Sequence, residues 1–473
     1  MTEAPVHTGD APLPVVIIGG GMAGLTAAWW LHRANVPVTL LERSEHAGGA
    51  VATRTLGGHV FESGPNTVPA SSPALNELID AIGLGAQVQL SRDDAHKRLI
   101  WRGGEIHEVP SGILSLLTSS LMGLGGKLRL LREPWVKAQP ELDGESLLAF
   151  MQRRLGPQAT AAFADPFVTG VYAGRLEHLG SDAFPRLRAF EKEHGSILRG
   201  AKAAQRRLKA SRQGGAVRKG LLSFEGGLEL LPRTIRHQLG TRIRFGHEVF
   251  GIEPSSKPGA HGWVVRAVAG GRHVDYDASA IVVATPAGVA RSLLERVDDG
   301  LAEPLGNIPH PHVAAVGLGY RREAVGHPLD AFGLLCSSEE SELSETGVLG
   351  VIFASSIFSG RAPAGSVTLS VLMGGSRNPD CATWTDSELV DQARVALSVL
   401  LGVRGLPDAV EVARWPKAIP QYQPGHMQRI ERLRALSAAW PGLYIAGNYL
   451  DGVGLEQAVA SGAKAARALL SQG

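Results

Sequence analysis

Three glycines, Gly19, Gly21 and Gly24, lie in the stretch PVVIIGGGMAGLTAAWW, between a β-branched run and an alanine-rich segment. That spacing, G-x-G-x-x-G after a strand and at the head of a helix, suits a pyrophosphate. The first glycine permits the tight turn, the second lets phosphate oxygens touch the backbone, and the third lets the helix pack on the strand. Free N–H groups and the positive end of the helix would hold the phosphates. Glu42, 18 residues past Gly24 at the end of VPVTLLE, stands where an acid can accept hydrogen bonds from an adenosine ribose. An acid there disfavours a 2′-phosphate.

Gly48 and Gly49 follow the acid closely, and a second glycine pair lets the backbone wrap the other side of the pyrophosphate. Far along the chain, LYIAGN supplies a late strand whose turn, at Gly447, can hold a flavin. A nicotinamide cofactor must leave after each turnover and needs no such returning segment, so the layout favours FAD over NAD.

These elements must come from separated pieces. Strand, helix and strand open the chain as a βαβ unit. IRFGHEVFGIEP (243–254), WVVRAV and ASAIVVATP return to the same domain, and residues 443–470 close it as strand, glycine turn and helix. Alternating stretches such as HVAAVGLGY and SVTLSVLMGG predict a second, largely antiparallel sheet between 310 and 420. A chain of 473 residues exceeds one hydrophobic core. The expected fold class is an α/β FAD-binding, Rossmann-like domain (1–90, 215–295 and 425–473), with an antiparallel α+β substrate domain (296–424) and a helical insert (91–214).

Composition excludes several classes. Hydrophobic residues are 44% and charged residues 19%, with a net charge of +2, as in an ordinary globular protein. Cys336 and Cys381 form no CxxC pattern, which argues for a reducing compartment and against a cysteine zinc site. The opening MTEAPVHTGDAPLP has neither a basic nor an apolar leader region, so no signal peptide is expected.

VPSGILSLLTSSLMGLGG (109–126) has eighteen residues without a charge, yet its five Ser/Thr, its glycines and Pro110 argue against a span. A buried loop and helix, or shallow contact with a membrane surface, are the readings left. Residues 194–224 carry eight Lys/Arg and no Asp/Glu: Arg199, Lys202, Arg206, Arg207, Lys209, Arg212, Arg218 and Lys219. This run reads as a solvated face, or as a funnel for an anionic ligand. Few aromatics interleave with it, so no nucleic-acid partner is expected.

At the glycine turn, the Gly48–Gly49 pair and the AGN strand, the sequence resembles the flavin amine-oxidase superfamily. The resemblance narrows over GPNT (64–67), DPFVTGVYAGRLEHLGSDAFPRL (165–187), EKEHGSILRG (191–200), LGVIFASSIFSGRAP (349–363), VLMGG (371–375), IPQYQPGH (419–426) and AGNYLDGVGLEQAV (446–459). There it looks like the oxygen-dependent protoporphyrinogen oxidase and coproporphyrinogen III oxidase family. It implies a p-hydroxybenzoate-hydroxylase-like FAD domain and oxidation of a porphyrinogen, protoporphyrinogen IX or coproporphyrinogen III, to the porphyrin in haem biosynthesis. O2 would be the co-substrate and H2O2 the product, with no metal. The FAD contacts carried over add Arg43, Gly64, Pro65, Asn66, Val249, Asn448, Val453 and Gly454 to Gly19, Gly21, Gly24, Glu42, Gly48, Gly49 and Gly447.

For the substrate, the resemblance implies that Gly170 lies against the macrocycle, that Ile357 and Leu372 sandwich its rings, and that Arg54 holds a propionate. No side chain is implied as an acid or base, since the flavin carries the chemistry. Alone, Ile357 and Leu372 read as core, and His426, Trp415 and Tyr422 as packing. Arg175 after GVYAG, Ala50 and Ala52 after the glycine pair, and Ser359 in IFSGRAP depart from the family pattern.

The expected location is cytoplasmic, with candidate peripheral contact on the inner face of the membrane and candidate transient contact with the next haem-pathway enzyme. The rival readings are a related oxidase of amines or polyenes, and a non-catalytic escort protein. Against the first, the C-terminal turn offers only Tyr449 where an aromatic pair is needed. Against the second stand the intact glycines and Glu42.

Overall fold

A computed structural model describes residues 12–110, 112–140, 144–211, 220–256, 262–306, 308–338 and 341–472. The strands Val15–Ile18, Val38–Leu41, Ile243–Arg244, Ala280–Val283 and Leu443–Ile445 form one parallel sheet. Its order runs 243–244, 38–41, 15–18, 280–283, 443–445. These strands are short and nearly all apolar because both faces are covered. Val15 and Ile17 point into a core shared with the helices Met22–Arg33, Leu230–Leu239 and Leu455–Leu470. Val16 and Ile18 point into a second core, built with Ala287–Glu295, His426–Ser437 and an antiparallel meander. The meander's strands are His247–Pro254, Trp263–Ala269 and Arg272–Ala278. Residues 243–254 thus divide between two sheets.

A seven-stranded sheet forms the second layer system, in the order 409–415, 313–321, 366–374, 348–352, 333–336, 99–102, 105–108. All neighbours are antiparallel except Gly333–Cys336 with Leu99–Arg102. The hairpin 99–108 therefore belongs to this sheet, not to a helical insert beginning at residue 91. One face of the sheet packs on the helix Asp386–Leu401 through alternate residues such as Leu334, Val371 and Val316.

The helical part follows, with Leu124–Leu131, Leu147–Leu155, Pro185–His194 and Ile197–Ser211. Its interior holds an ion network. Arg154, fully buried, bonds Glu133 and approaches Glu191, while Arg153 bonds Glu145 and Glu191. Glu133 also accepts from the Ser196 hydroxyl and the Ile197 N–H. Every buried charge here has a partner, which is the condition for burying it.

The uncharged stretch 109–126 breaks into the helix Ile113–Thr118 and the start of the next helix. No helix among the described residues is long and apolar enough to cross a membrane. Arg199, Lys202, Arg206 and Arg207 lie exposed on one helix, as a solvated face would. Arg212, Arg218 and Lys219 fall outside the described residues. Both cysteines are buried and form no disulfide.

Candidate functional site

The carboxyl ends of the parallel strands meet along one edge. Strand Val15–Ile18 runs through its helix to Val38–Leu41 on one side, while Ala280–Val283 flanks it on the other. A crevice at such a reversal of strand order is the binding edge of an open α/β sheet. Gly19 enters it with φ +105, and a Cβ there would meet the Ala284 carbonyl oxygen at 2.8 Å. A Cβ on Gly24 would fall on the Gly19 carbonyl, so helix and turn need that glycine. Gly21 differs, because a Cβ there would meet nothing within 4 Å. Its glycine leaves an open cradle at the N-terminus of Met22–Arg33, which has no side-chain cap. The N–H groups of such a first turn can donate to an anion.

The second glycine pair closes the other side. The Gly48 N–H donates to the Gly20 carbonyl at 2.8 Å, and Gly49, with φ +62, lies against the Gly21 Cα. Gly64 presses on the Ala50 carbonyl, which brings the Gly64–Pro65–Asn66 turn onto the same loop. Glu42 is pinned in this layer, accepting from the Gly20 N–H at 2.6 Å and from the Ser44 N–H at 2.9 Å. Its backbone carbonyl accepts from the His247 N–H at 2.9 Å, which seats the meander strand carrying Val249 beside it. Arg43 is exposed next to it.

From the far end of the chain, Gly447 donates to Ser461 Oγ at 3.0 Å, and Gly454 caps the helix Leu455–Leu470 without a side-chain bond. Between them lie Asn448 and Val453, both half-buried. Gly462 of that helix packs on the Ala23 carbonyl. Two uncapped helix N-termini and three glycine turns thus converge on one edge. This donor set fits a dinucleotide: backbone N–H groups for phosphates, a carboxylate for ribose hydroxyls, and a glycine surface where side chains would intrude.

The seven-stranded sheet turns its second face away from the helix Asp386–Leu401. One end of it is roofed by the strand His59–Glu62, whose Phe61 ring covers Gly317 and whose His59 ring covers Gly319. That strand is held by Glu62, which accepts from the Leu228 N–H at 2.9 Å and from Thr53 Oγ1 at 2.7 Å, with Arg361 at 3.4 Å. Burial pushes the Glu62 carboxyl up, and Arg361 opposes it.

At the other end the face is apolar. Leu372 packs with Val313, Leu349 and Ala173, and Gly170 lies against Leu335 and the Leu349 carbonyl. Gly170 belongs to a wide helical turn, Val168–Tyr172, that ends in Ala173 at φ 51. Gly170 and Leu372 therefore share one apolar face, joined by Leu349.

Ile357 does not join them. It ends the short helix Ala354–Ile357, is 1% exposed, and packs with Ala95 and Phe358 in a separate cluster. Leu335 and Leu349 stand at the face instead. Alternation in GLLC could have found Leu335, since Leu334 goes to the opposite core. Arg54 is exposed, opposite Phe61 on the hairpin. Trp415 packs through Nε1 to the Ser63 carbonyl at 2.6 Å. His426 is fully buried and held near pKa 4 by that burial, so it is neutral packing.

Comparison with known proteins agrees with this geometry. Residues 22–470 match the family described as flavin containing amine oxidoreductase. The chain is 31% identical to protoporphyrinogen oxidase 1, chloroplastic, of Arabidopsis thaliana, over 94% of this chain and 85% of that one. It is 26% identical to coproporphyrinogen III oxidase of Bacillus subtilis (strain 168), over 96% and 97%. A solved chain from Exiguobacterium sp. 255-15, assigned as a protoporphyrinogen oxidase, superposes with a TM-score of 0.82 at 25% identity, covering 98% of this chain and 100% of that one.

Proposed function

The chain belongs to the flavin containing amine oxidoreductases, within them to the protoporphyrinogen oxidase family, and we propose from this that it is an FAD-dependent oxidase of porphyrinogens in haem biosynthesis. The substrate is protoporphyrinogen IX or coproporphyrinogen III, and O2 is reduced to H2O2. The observation that carries the reading is the presence of two surfaces in one chain: a glycine-lined edge fit for a dinucleotide, and an apolar sheet face around Gly170, Leu335, Leu349 and Leu372.

Bound FAD supplies the acceptor for a hydride from a methylene bridge and the route for its electrons to O2. The chain supplies position. Gly19, Gly21, Gly24, Gly48 and Gly49 bring backbone N–H groups to the pyrophosphate, Glu42 takes the ribose, and Arg43 and Val249 border the adenosine end. Gly64, Pro65, Asn66, Gly447, Asn448, Val453 and Gly454 border the flavin end. Gly170 lets the macrocycle approach the backbone, and Leu335, Leu349 and Leu372 exclude water from it.

Loss of hydride from a carbon bridge leaves a cation that the flanking pyrrole nitrogens stabilise. The N–H proton then passes to water, so no side-chain base is required. Arg54, on the exposed side of the hairpin, is the candidate propionate partner, since a guanidinium is permanently charged and bidentate. The fold is of the p-hydroxybenzoate-hydroxylase type. The helical part, with exposed Leu124, Leu128 and Trp135, is the surface for peripheral membrane contact and for handing product to the next pathway enzyme.

The test is anaerobic mixing of the FAD-loaded protein with each porphyrinogen. Bleaching of the flavin absorption, followed in air by porphyrin fluorescence and peroxide, supports the reading. Failure with both substrates overturns it.

A further inference from the structure

Gln421 and Tyr422 are neighbours in sequence and hydrogen-bond to two separate turns. Gln421 Nε2 donates to the Tyr172 carbonyl at 2.8 Å and to the Ile419 carbonyl at 3.0 Å. Tyr172 closes the wide turn that carries Gly170. The Tyr422 hydroxyl donates to the Asn448 carbonyl at 2.5 Å and accepts from the Gly452 N–H at 2.9 Å, closing the turn between the last strand and the C-terminal helix. Burial pushes the Tyr422 phenol up, so it stays a donor at neutral pH.

The backbone of this dipeptide is itself fixed. The Gln421 N–H donates to the Pro309 carbonyl at 2.8 Å, and the Tyr422 carbonyl accepts from the Gly180 N–H at 2.7 Å. The Tyr422 ring stacks on His426, with centroids 3.9 Å apart and planes 12° apart. His426 in turn donates through Nε2 to the Tyr449 carbonyl at 2.8 Å. Both residues of the pair are buried.

We propose that Gln421 and Tyr422 are positioning residues that set the spacing between the Gly170 turn and the Asn448–Gly452 turn, and so between substrate and flavin. Adjacent Cα atoms are held about 3.8 Å apart by the trans peptide, so neither clamp can shift without the other. Transfer of a hydride needs near-attack placement of about 3–3.5 Å between reacting atoms. A sub-ångström slip of either wall is therefore felt in the rate. This inference rests on the flavin reading, and it goes beyond it by assigning the spacing to one dipeptide outside both walls.

The experiment uses the FAD-loaded protein with Tyr422→Phe, Gln421→Leu, the second isostere Gln421→Met, and the double variant Gln421→Leu/Tyr422→Phe. FAD affinity and the visible spectrum of bound flavin are read first, then the rate of anaerobic flavin reduction in a single turnover. Tyr422→Phe removes two hydrogen bonds from the flavin turn, so FAD affinity falls about tenfold and the spectrum shifts. Gln421→Leu and Gln421→Met leave affinity and spectrum as in the wild type but slow flavin reduction about tenfold, with KM within twofold. The double variant reduces no more slowly than its worse parent, as expected of one spacer.

Normal reduction rates in both Gln421 variants, or a rise in KM alone, overturn the inference, as does an unchanged spectrum and affinity in Tyr422→Phe. Wild-type flavin that neither porphyrinogen reduces defeats the functional reading instead, and the affinity and spectral arm still judges Tyr422.

Discussion

Gly462, midway along the C-terminal helix, lies so close to Ala23 that a Cβ would fall on the Ala23 carbonyl oxygen. Ala23 is in the first turn of the helix whose N-terminus borders the cradle proposed for the pyrophosphate. The contact fixes how near the two helix ends come, and with them the two halves of the cofactor edge. Gly462→Ala must push the helices apart, at a cost of about 1–3 kcal/mol as for other overpacked cores. Denaturant unfolding should show that loss, and an FAD titration should show weaker binding, because the cradle widens with the helices.

Two glycines of the same turn should fail differently. Gly21 has an ordinary extended backbone, φ −70 and ψ 176, and open space where a Cβ would go. Gly21→Ala is therefore expected to fold with the unfolding midpoint of the wild-type apoprotein and to bind FAD at least about tenfold more weakly, the methyl group occupying the phosphate's place. Gly24→Ala collides with the Gly19 carbonyl and should lose both stability and cofactor. If Gly21→Ala bound FAD normally, the phosphates would not lie in this cradle.

The cofactor edge was legible in the sequence because its signals are local. Gly19 at φ +105 and the helix beginning at Met22 are set by residues within a few positions of each other. The apolar face was only half legible. Leu372 and Leu335 each carry an alternation that survives in the sheet, but the seating of Gly170 on Leu335 joins segments more than one hundred and sixty residues apart. The strand Leu99–Arg102 joins Gly333–Cys336 across more than two hundred residues, which is why residues 91–108 read as part of an insert. Ile357 sits on one turn of helix inside a stretch otherwise made of strands, and it packs with Ala95, a residue more than two hundred and fifty positions away. Gln421 and Tyr422 show no periodicity at all, since their roles are hydrogen bonds to distant carbonyls.

Gly170 gives the direct check on the apolar face. A Cβ there would press on the Leu335 side chain, which can give way, and the backbone φ is not positive. Gly170→Ala should thus fold and hold FAD with an unaltered flavin spectrum, while its methyl group displaces the Leu335 side chain on the face proposed for the macrocycle. An fall in kcat/KM of about a hundredfold or more follows from losing near-attack placement. Steady-state porphyrin fluorescence assays measure it, and an unaffected kcat/KM would move the substrate off this face.

His426 makes acid stability a test of the packing around the flavin turn. Its folded pKa is lowered to about 4 from 6.5, first by burial, with the bond to the Tyr449 carbonyl opposing. The folded protein keeps the ring neutral while the unfolded chain protonates it below about 6.5. The unfolded state thus binds the extra proton in this window, and stability falls as pH drops from about 6.5 toward 4. The loss over the window is on the order of 3 kcal/mol, and it is absent above pH 7, where the ring is neutral in both states. His426→Gln removes the titration, so its unfolding free energy should vary less steeply over that range than the wild type's, whatever its stability at pH 7. Denaturant unfolding at pH 7.5, 6 and 5 for both proteins gives the two slopes, and equal slopes would place the acid sensitivity elsewhere.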